Sequence, residues 1–282
     1  MEAQIVHLNG EYLPLASASV SVLDRGFIFG DGVYEVVPVY GGRAFGWARH
    51  LARLRRSLAR IRIEDPHDDA TWNAIVSSLV SRHPWPDQLV YIQVTRGVAR
   101  RDHAFPAGIV PTVFAMASEL IVPSPETRAR GIDTITLPDE RWLNCDIKSI
   151  SLLGNVLAKQ AAVDAGAAEC LLFRDGWLTE GSSSNVWIVR DSVVLGPPPG
   201  REILEGVRMG IIESLCAAEG IAFEQRPIAR DEVLQADEVL ISSATREILA
   251  VARIDGRPVG NGRPGPVGEH LYRAYQRAKA EG

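Results

Sequence analysis

The stretch Trp142–Glu180, WLNCDIKSISLLGNVLAKQAAVDAGAAECLLFRDGWLTE, constrains this chain more than any other. Alternation in Leu143–Lys148 predicts a strand with Leu143, Cys145 and Ile147 on one face and Trp142, Asn144, Asp146 and Lys148 on the other. Leu152–Ala165 predicts a helix ended by Gly166. Asp175-Gly176 then predicts a hairpin turn, and Thr179-Glu180-Gly181-Ser182-Ser183-Ser184-Asn185 follows it. One lysine and one glutamate thus lie on either side of a single helix. Alone, each is ordinary, because most lysines keep their ammonium in water.

Composition limits what such a stretch can serve. The 282 residues, 46% hydrophobic and 23% charged, are enough for one large or two mid-sized globular domains. A net charge of −5 gives no electrostatic reason to expect nucleic acid or an anionic membrane surface as partner. Arg53, Arg55, Arg56 and Arg60 fall at helical spacing and, alone, read as a solvated helix face. Met1–Gly10 lacks the basic start and apolar core of a secretory leader, and no apolar run reaches bilayer length. Cys145, Cys170 and Cys216 lie in apolar stretches without metal-ligand spacing, and so read as reduced core residues of a cytoplasmic protein that holds no metal.

The first half reads as a hairpin about Asn9-Gly10, a sharp bend at Phe29-Gly30-Asp31-Gly32, and a strand over Val33–Tyr40. A helix over His50–Ile61 carries Leu51, Leu54, Leu58 and Ile61 on one face, and a second covers Thr71–Ser81. Leu89–Arg96 and Thr112–Ala117 predict strands with the polar loop Arg100–Pro106 between them. Pro123-Ser124-Pro125 marks a linker, giving an N-terminal α+β domain over 1–122, a linker over 123–131 and a C-terminal α+β domain over 132–282 that carries Lys148. Later come a helix over Val207–Glu219, a strand over Glu238–Ser243, a turn at Asp255-Gly256 and a final helix from about Val267. Gly260-Asn261-Gly262-Arg263-Pro264-Gly265 matches a dinucleotide-binding glycine pattern, but no βαβ unit surrounds it and it reads as a loop. The fold class is α+β with mixed sheets and outer helices.

DIKS followed by LLGNVLAKQ, then TEGSSSNV some thirty residues on, resembles the fold type IV pyridoxal-phosphate aminotransferases, and most closely their D-amino-acid members. The resemblance covers nearly the whole chain, with several motifs in the family's order. It implies the cofactor pyridoxal 5′-phosphate, with Lys148 as the residue that forms the Schiff base and later shuttles a proton. Desolvation and the cofactor are expected to lower the proton affinity of that amine. Glu180 matches the carboxylate that pairs with the pyridine nitrogen. Arg53 matches a phosphate-binding arginine, Leu204 a residue that packs on the ring, and Gly206-Val207 a helix start that offers amides to the phosphate. Ser183 and Ser184 belong to the same cofactor set.

Two positions depart from the family. Arg208 stands where a threonine is usual, and Ala244, within Ser242-Ser243-Ala244-Thr245, where another hydroxyl residue is usual. Either Arg208 supplies charge in their place, or Ser243 and Thr245 shift to help, or Arg208 points to solvent. For the substrate, Arg101-Asp102-His103 resembles the loop that holds the α-carboxylate in D-amino-acid transaminases, together with a tyrosine matching Tyr34. Val36 and Trp142 match pocket-lining residues. The family places this loop at the active site of a partner subunit, which implies a homodimer. The expected partners are an amino acid and a 2-oxo acid, D-alanine and 2-oxoglutarate foremost, reacting in two half-reactions. Branched-chain L-amino-acid or (R)-amine transamination, aminodeoxychorismate lyase chemistry and non-enzymatic cofactor binding are the alternatives.

Overall fold

The computed structural model describes residues 4–281 and divides them into two compact units. One holds the described residues up to Leu120 together with Ile147–Ser151; the other holds Ile121–Asp146 and the described residues from Leu152 onward. Residues 1–3, part of the stretch in which no leader was read, lie outside the described residues. Among the described residues no helix is long and apolar enough to cross a membrane.

The first unit opens with the predicted hairpin, β1 (Ile5–Leu8) and β2 (Glu11–Pro14). Asn9 and Gly10 turn it at φ of 50° and 93°, the left-handed geometry that matches strand twist in a two-residue turn. The bend near Phe29 is a short helix, α1 (Arg25–Phe29), which the sequence reading missed; the Asp24 carboxylate caps it by accepting from Gly26 N. Next come β3 (Gly32–Tyr40), β4 (Arg43–Ala44), α2 (Trp47–Arg60), α3 (Asp69–Ser81), β5 (Asp87–Thr95) and β6 (Thr112–Glu119).

The sheet order is β2-β1-β6-β5-β3-β4 and every pairing is antiparallel, so the mixed pairing expected of both sheets is found only in the second unit. Val33, Val37 and Val39 point from β3 into a core shared with Leu51, Leu54 and Leu58 of α2 and Trp72, Ile75 and Leu79 of α3. Burial of each such side chain stabilises the unit by about 1.5–3 kcal/mol. Strand alternation sends Tyr34 and Val36 to the opposite, half-buried face.

The second unit contains α4 (Pro125–Arg130), β7 (Ile132–Pro138), α5 (Leu153–Asp164), β8 (Glu169–Arg174), β9 (Trp177–Gly181), β10 (Asn185–Arg190), β11 (Val193–Gly196) and α6 (Val207–Glu219). It continues with β12 (Phe223–Gln225), α7 (Arg230–Leu234), β13 (Glu238–Ser243), β14 (Glu247–Ile254), β15 (Arg257–Pro258) and α8 (Pro266–Glu281). The strand order is β12-β11-β10-β13-β14-β7-β8-β9, with β15 on β14; β7 pairs in parallel with both β8 and β14. The segment expected as a linker is largely α4, capped by Ser124 with Pro125 in its first turn, because a proline needs no amide partner there.

Two corrections concern the organising stretch. Leu143–Lys148 is not a strand: its residues form turns and bends, Leu143 is exposed, and the segment's ladder shrinks to one bridge between Ser149 and Val33. Alternation was misleading because this segment is anchored by scattered main-chain bonds. Cys145 N donates to Arg201 O in the second unit; in the first, Lys148 N donates to Ser57 Oγ and Tyr34 N to Lys148 O. Lys148, expected in the C-terminal domain, is accordingly packed with the first unit.

Candidate active site

Lys148 is half-buried, and its ammonium lies over the ring of Tyr34, with Nζ 4.3 Å from the centroid. Tyr34 stacks on Tyr91 at 5.7 Å between centroids, and Tyr91 Oη donates to Gln93 Oε1 at 2.7 Å. Burial, together with Tyr34 nearby, pushes the Tyr91 hydroxyl up to about 12, so it stays a neutral donor. Val36 faces Tyr91 across the β3–β5 ladder. Lys148, Tyr34 and Val36 all lie in this unit, and Tyr91, which the sequence reading gave no role, lies beside them.

The arginines of α2 are not one solvated face. Arg56 and Arg60 are exposed and Arg55 pairs with Asp65 and Asp69, but Arg53 is buried. His50, Arg53 and Ser57 recur at spacings of three and four and form a buried polar stripe beside the leucine stripe. Arg53 donates from Nε to Glu35 Oε1 at 2.7 Å and from Nη2 to Glu35 Oε2 at 2.8 Å. His50 Nδ1 lies 2.7 Å from Glu35 Oε2. Burial works to raise the proton affinity of Glu35, which is 1% exposed, but the Arg53 charge and these hydrogen bonds outweigh it and hold the carboxyl far below its usual range. Glu35 and His50 were not anticipated. A glutamate on the buried face of β3, between Val33 and Val37, was the available signal.

Arg101 and His103 lie in an exposed loop and gather about Phe29: the Arg101 guanidinium is 5.4 Å from that ring and the His103 ring 5.4 Å. Phe29 is a further residue the sequence did not single out.

In the second unit Glu180 is the last residue but one of β9 and is buried. It accepts from Arg141 Nη1 at Oε1, and from Asn185 Nδ2 at 3.3 Å and Leu204 N at 3.2 Å at Oε2. Arg141 also grips Asp139, with Nε 2.9 Å from Oδ1 and Nη2 2.8 Å from Oδ2, and Thr179 Oγ1 donates to that carboxylate at 2.9 Å. Against the opposing effect of burial, those bonds and the Arg141 charge hold Asp139 below its usual range. Neither Arg141 nor Asp139 was picked out from sequence. Trp142, beside them in the chain, is half-exposed, and Cys145 Sγ donates to its carbonyl.

Leu204 is half-buried just before α6, and its carbonyl accepts from Asn185 Nδ2 at 2.9 Å. Gly206 caps that helix, and a Cβ there would lie 2.0 Å from Asn185 Oδ1, so any side chain would displace Asn185. With glycine as cap, no side chain of that residue occupies the first amides of α6, and Val207 is buried beneath them. Arg208 is 3% exposed, which removes the reading of a solvent-pointing side chain. Ser243 Oγ accepts from Arg246 N at 3.1 Å and lies 3.4 Å from Thr245 Oγ1, in the turn where Ala244 has no hydroxyl to offer. Ser183 and Ser184, expected beside the cofactor, each donate to Glu169 Oε2 at 3.2 Å, while Ser182 serves Oε1.

This donor set fits pyridoxal 5′-phosphate. A fixed carboxylate suits a ring N–H, and a glycine-capped helix start suits a phosphate.

The sequence matches the Amino-transferase class IV family over residues 32–254. It is 41% identical over 271 residues to D-alanine aminotransferase of Bacillus licheniformis, covering 96% of this chain and 95% of that one. It is 37% identical to D-alanine aminotransferase of Staphylococcus aureus strain MSSA476, covering 96% of each. Among solved structures, the branched-chain amino acid aminotransferase of Escherichia coli superposes with a TM-score of 0.93 at 24% identity, covering 98% of this chain and 94% of that one. The branched-chain aminotransferase of Thermoproteus uzoniensis with norvaline superposes with a TM-score of 0.89, also at 24% identity and with the same coverage.

Proposed function

The chain belongs to the Amino-transferase class IV family, and from that premise we propose that it is a D-amino-acid transaminase. It moves the amino group of a D-amino acid such as D-alanine to a 2-oxo acid such as 2-oxoglutarate. When bound, pyridoxal 5′-phosphate supplies the electron sink that stabilises negative charge on the substrate's α-carbon. Lys148 Nζ would hold the cofactor between turnovers and, once released, would take the proton from the substrate's α-carbon and return it to the carbon on the other side of the amine nitrogen. Glu180, fixed by Arg141, Asn185 and the Leu204 amide, keeps a negative charge facing the ring nitrogen and holds a proton there.

Toward the phosphate the proposed donors are Arg53, the amides at Gly206-Val207, and the Ser243–Thr245 turn, with buried Arg208 adding the charge that Ala244 cannot replace. Leu204 packs on the ring, and Ser183 and Ser184 shape the adjoining loop through Glu169.

The observation that carries the D assignment is the Arg101–His103 pair gathered at Phe29. A guanidinium forks a carboxylate and an imidazole adds a second donor, so the carboxylate is held in one orientation. That orientation decides which hydrogen of the α-carbon faces the lysine. Tyr34, Val36 and Trp142 line the rest of the substrate site in this reading. Likeness to these two branched-chain enzymes is at 24% identity and reports the fold, whereas the D-alanine enzymes stand at 37% and 41%.

The reading extends to a homodimer whose Arg101–His103 loop serves the partner's site. Exposed apolar side chains support it: Leu153, Val156 and Leu157 along one face of α5, and separately Val22, Phe27 and Val110 in the first unit. Three buried free thiols support a reducing, cytoplasmic setting.

The test is a half-reaction without 2-oxo acid. D-alanine is expected to abolish the cofactor's visible band and 2-oxoglutarate to restore it, while L-leucine, L-alanine and an (R)-amine leave it unchanged. Loss of the band with L-leucine alone would replace this reading with branched-chain transamination.

A further inference from the structure

The Arg101–Pro106 loop is exposed, yet a buried arginine grips its backbone. Arg25, at the start of α1, is 3% exposed. Its Nη1 donates to Asp102 O at 2.5 Å and to Ala104 O at 3.4 Å, and its Nη2 donates to His103 O at 3.4 Å. Three successive carbonyls thus share one guanidinium. Arg25 Nε donates to Asp31 Oδ2 at 2.8 Å, and the same carboxylate accepts from Arg96 Nε at 2.8 Å and Nη2 at 2.9 Å. Arg96 is anchored on Ile61 O at 2.7 Å and Arg62 O at 3.1 Å, and its guanidinium lies 3.6 Å from the ring centroid of Phe105.

We propose that Arg25 is a positioning residue for the substrate carboxylate, and that Arg96 completes the clamp through Asp31 and Phe105. This rests on the transaminase reading above and adds to it the device that aims the loop. Fixing the carbonyls of Asp102, His103 and Ala104 fixes the direction in which the His103 and neighbouring Arg101 side chains leave the chain. Ordering an exposed loop costs backbone entropy for every residue held, and here the ordering is done in the folded protein instead of on binding. Two guanidiniums on one carboxylate also leave a net positive charge beneath the loop, which favours an incoming carboxylate. The regular amide and carbonyl geometry of a helix or strand is absent here, so side-chain donors carry the task. Lysine at position 25 would keep the charge but lose the fork that spans three acceptors.

The experiment compares wild type, Arg25→Met, Arg25→Lys and Phe105→Ala as cofactor-loaded enzymes. In Arg25→Met the KM for both D-alanine and 2-oxoglutarate is expected to rise by about tenfold, since small misplacement of a positioning group has effects of that order or larger. The preference for D- over L-alanine should fall with it, amide hydrogen exchange over 101–106 should quicken, and cofactor loading and its visible spectrum should not change. Arg25→Lys should fall between, and Phe105→Ala should move the same quantities less. Wild-type KM, selectivity and loop exchange in loaded Arg25→Met would overturn the proposal; if that variant does not fold, wild-type values in both Arg25→Lys and Phe105→Ala would overturn it. A wild-type enzyme inert toward every D-amino acid would instead remove the functional reading, and loop exchange in the variants would still decide whether Arg25 orders the loop.

Discussion

In each unit a buried arginine–carboxylate cluster includes a residue assigned to the cofactor, and the two are built the opposite way round. In the first, Glu35 takes both arms of Arg53 and is also reached by His50. One carboxylate faces two groups that can carry positive charge, so in the proposed reading the glutamate is the holder and the arginine faces an anion. In the second, Arg141 serves both Asp139 and Glu180. Arg141 bridges the two carboxylates, with Arg174 Nη2 also 3.2 Å from Asp139, so in the proposed reading Arg141 is the holder and Glu180 faces a cation. The chemistry matches: a phosphate needs a cation, and a protonated ring nitrogen needs an anion. Oriented charge, more than charge alone, is what burial provides, because a partner fixed in low dielectric loses little to solvent.

The sharpest way to break this comparison is to remove the second cluster's holder. Arg141→Met removes the cation that bridges Glu180 and Asp139 and leaves Asp139 with Arg174 alone, and a loss of about 3–5 kcal/mol of folding stability is expected. Denaturant midpoints at neutral pH read it, and the loss should shrink in acid as the carboxylates protonate. An unchanged midpoint would mean that Arg141 is not the holder.

A smaller effect should follow from removing the acting group and keeping its holder. Glu180→Gln retains the shape and one acceptor but not the charge. Its kcat is expected to drop by about a hundredfold, the order found when a preorganised electrostatic partner is lost, while the cofactor stays bound through Lys148. If kcat is unchanged, the ring nitrogen is not served by this residue.

The mildest change tests the first cluster. Glu35→Gln should weaken cofactor affinity by about tenfold, the scale of one charged hydrogen bond, because Arg53 loses its fixed counter-charge; kcat at saturating cofactor should remain near wild type. It should also flatten the acid limb of stability. Glu35 titrates below its ordinary 4.5 in the folded state. Its contribution is therefore complete above that value and is lost as pH falls through the lower folded one. Thermal melts of wild type and variant between pH 7 and 3 should diverge least at the acid end. Parallel curves would place the holding role elsewhere.

Much of the fold was legible because local rules coincide with it. The leucine stripe of α2 follows the 3.6 period, Val207–Glu219 and Glu238–Ser243 are found at the expected residues, and Asn9-Gly10, Asp175-Gly176 and Asp255-Gly256 all turn with positive φ. What failed was reading alternation at Leu143–Lys148, where main-chain bonds to Ser57, Tyr34 and Arg201 replace a ladder. α1 was missed because five residues are too few to show a period. The proposed site was drawn from the sequence only in part. Lys148, Tyr34 and Glu180 stand in motifs, but Arg141, Asp139, His50 and Arg25 matter through what they touch.

The order of residues determined the family, the cofactor, the turns and the two-stripe helix, since each depends on spacing of a few residues along one chain. Tertiary structure alone decided which charges are buried and which of each pair holds the other. A carboxylate's partner, and hence its proton affinity, is set by side chains that arrive from distant segments: Arg53 from α2 onto Glu35 of β3, and Arg141 onto Glu180 across 39 residues of sequence.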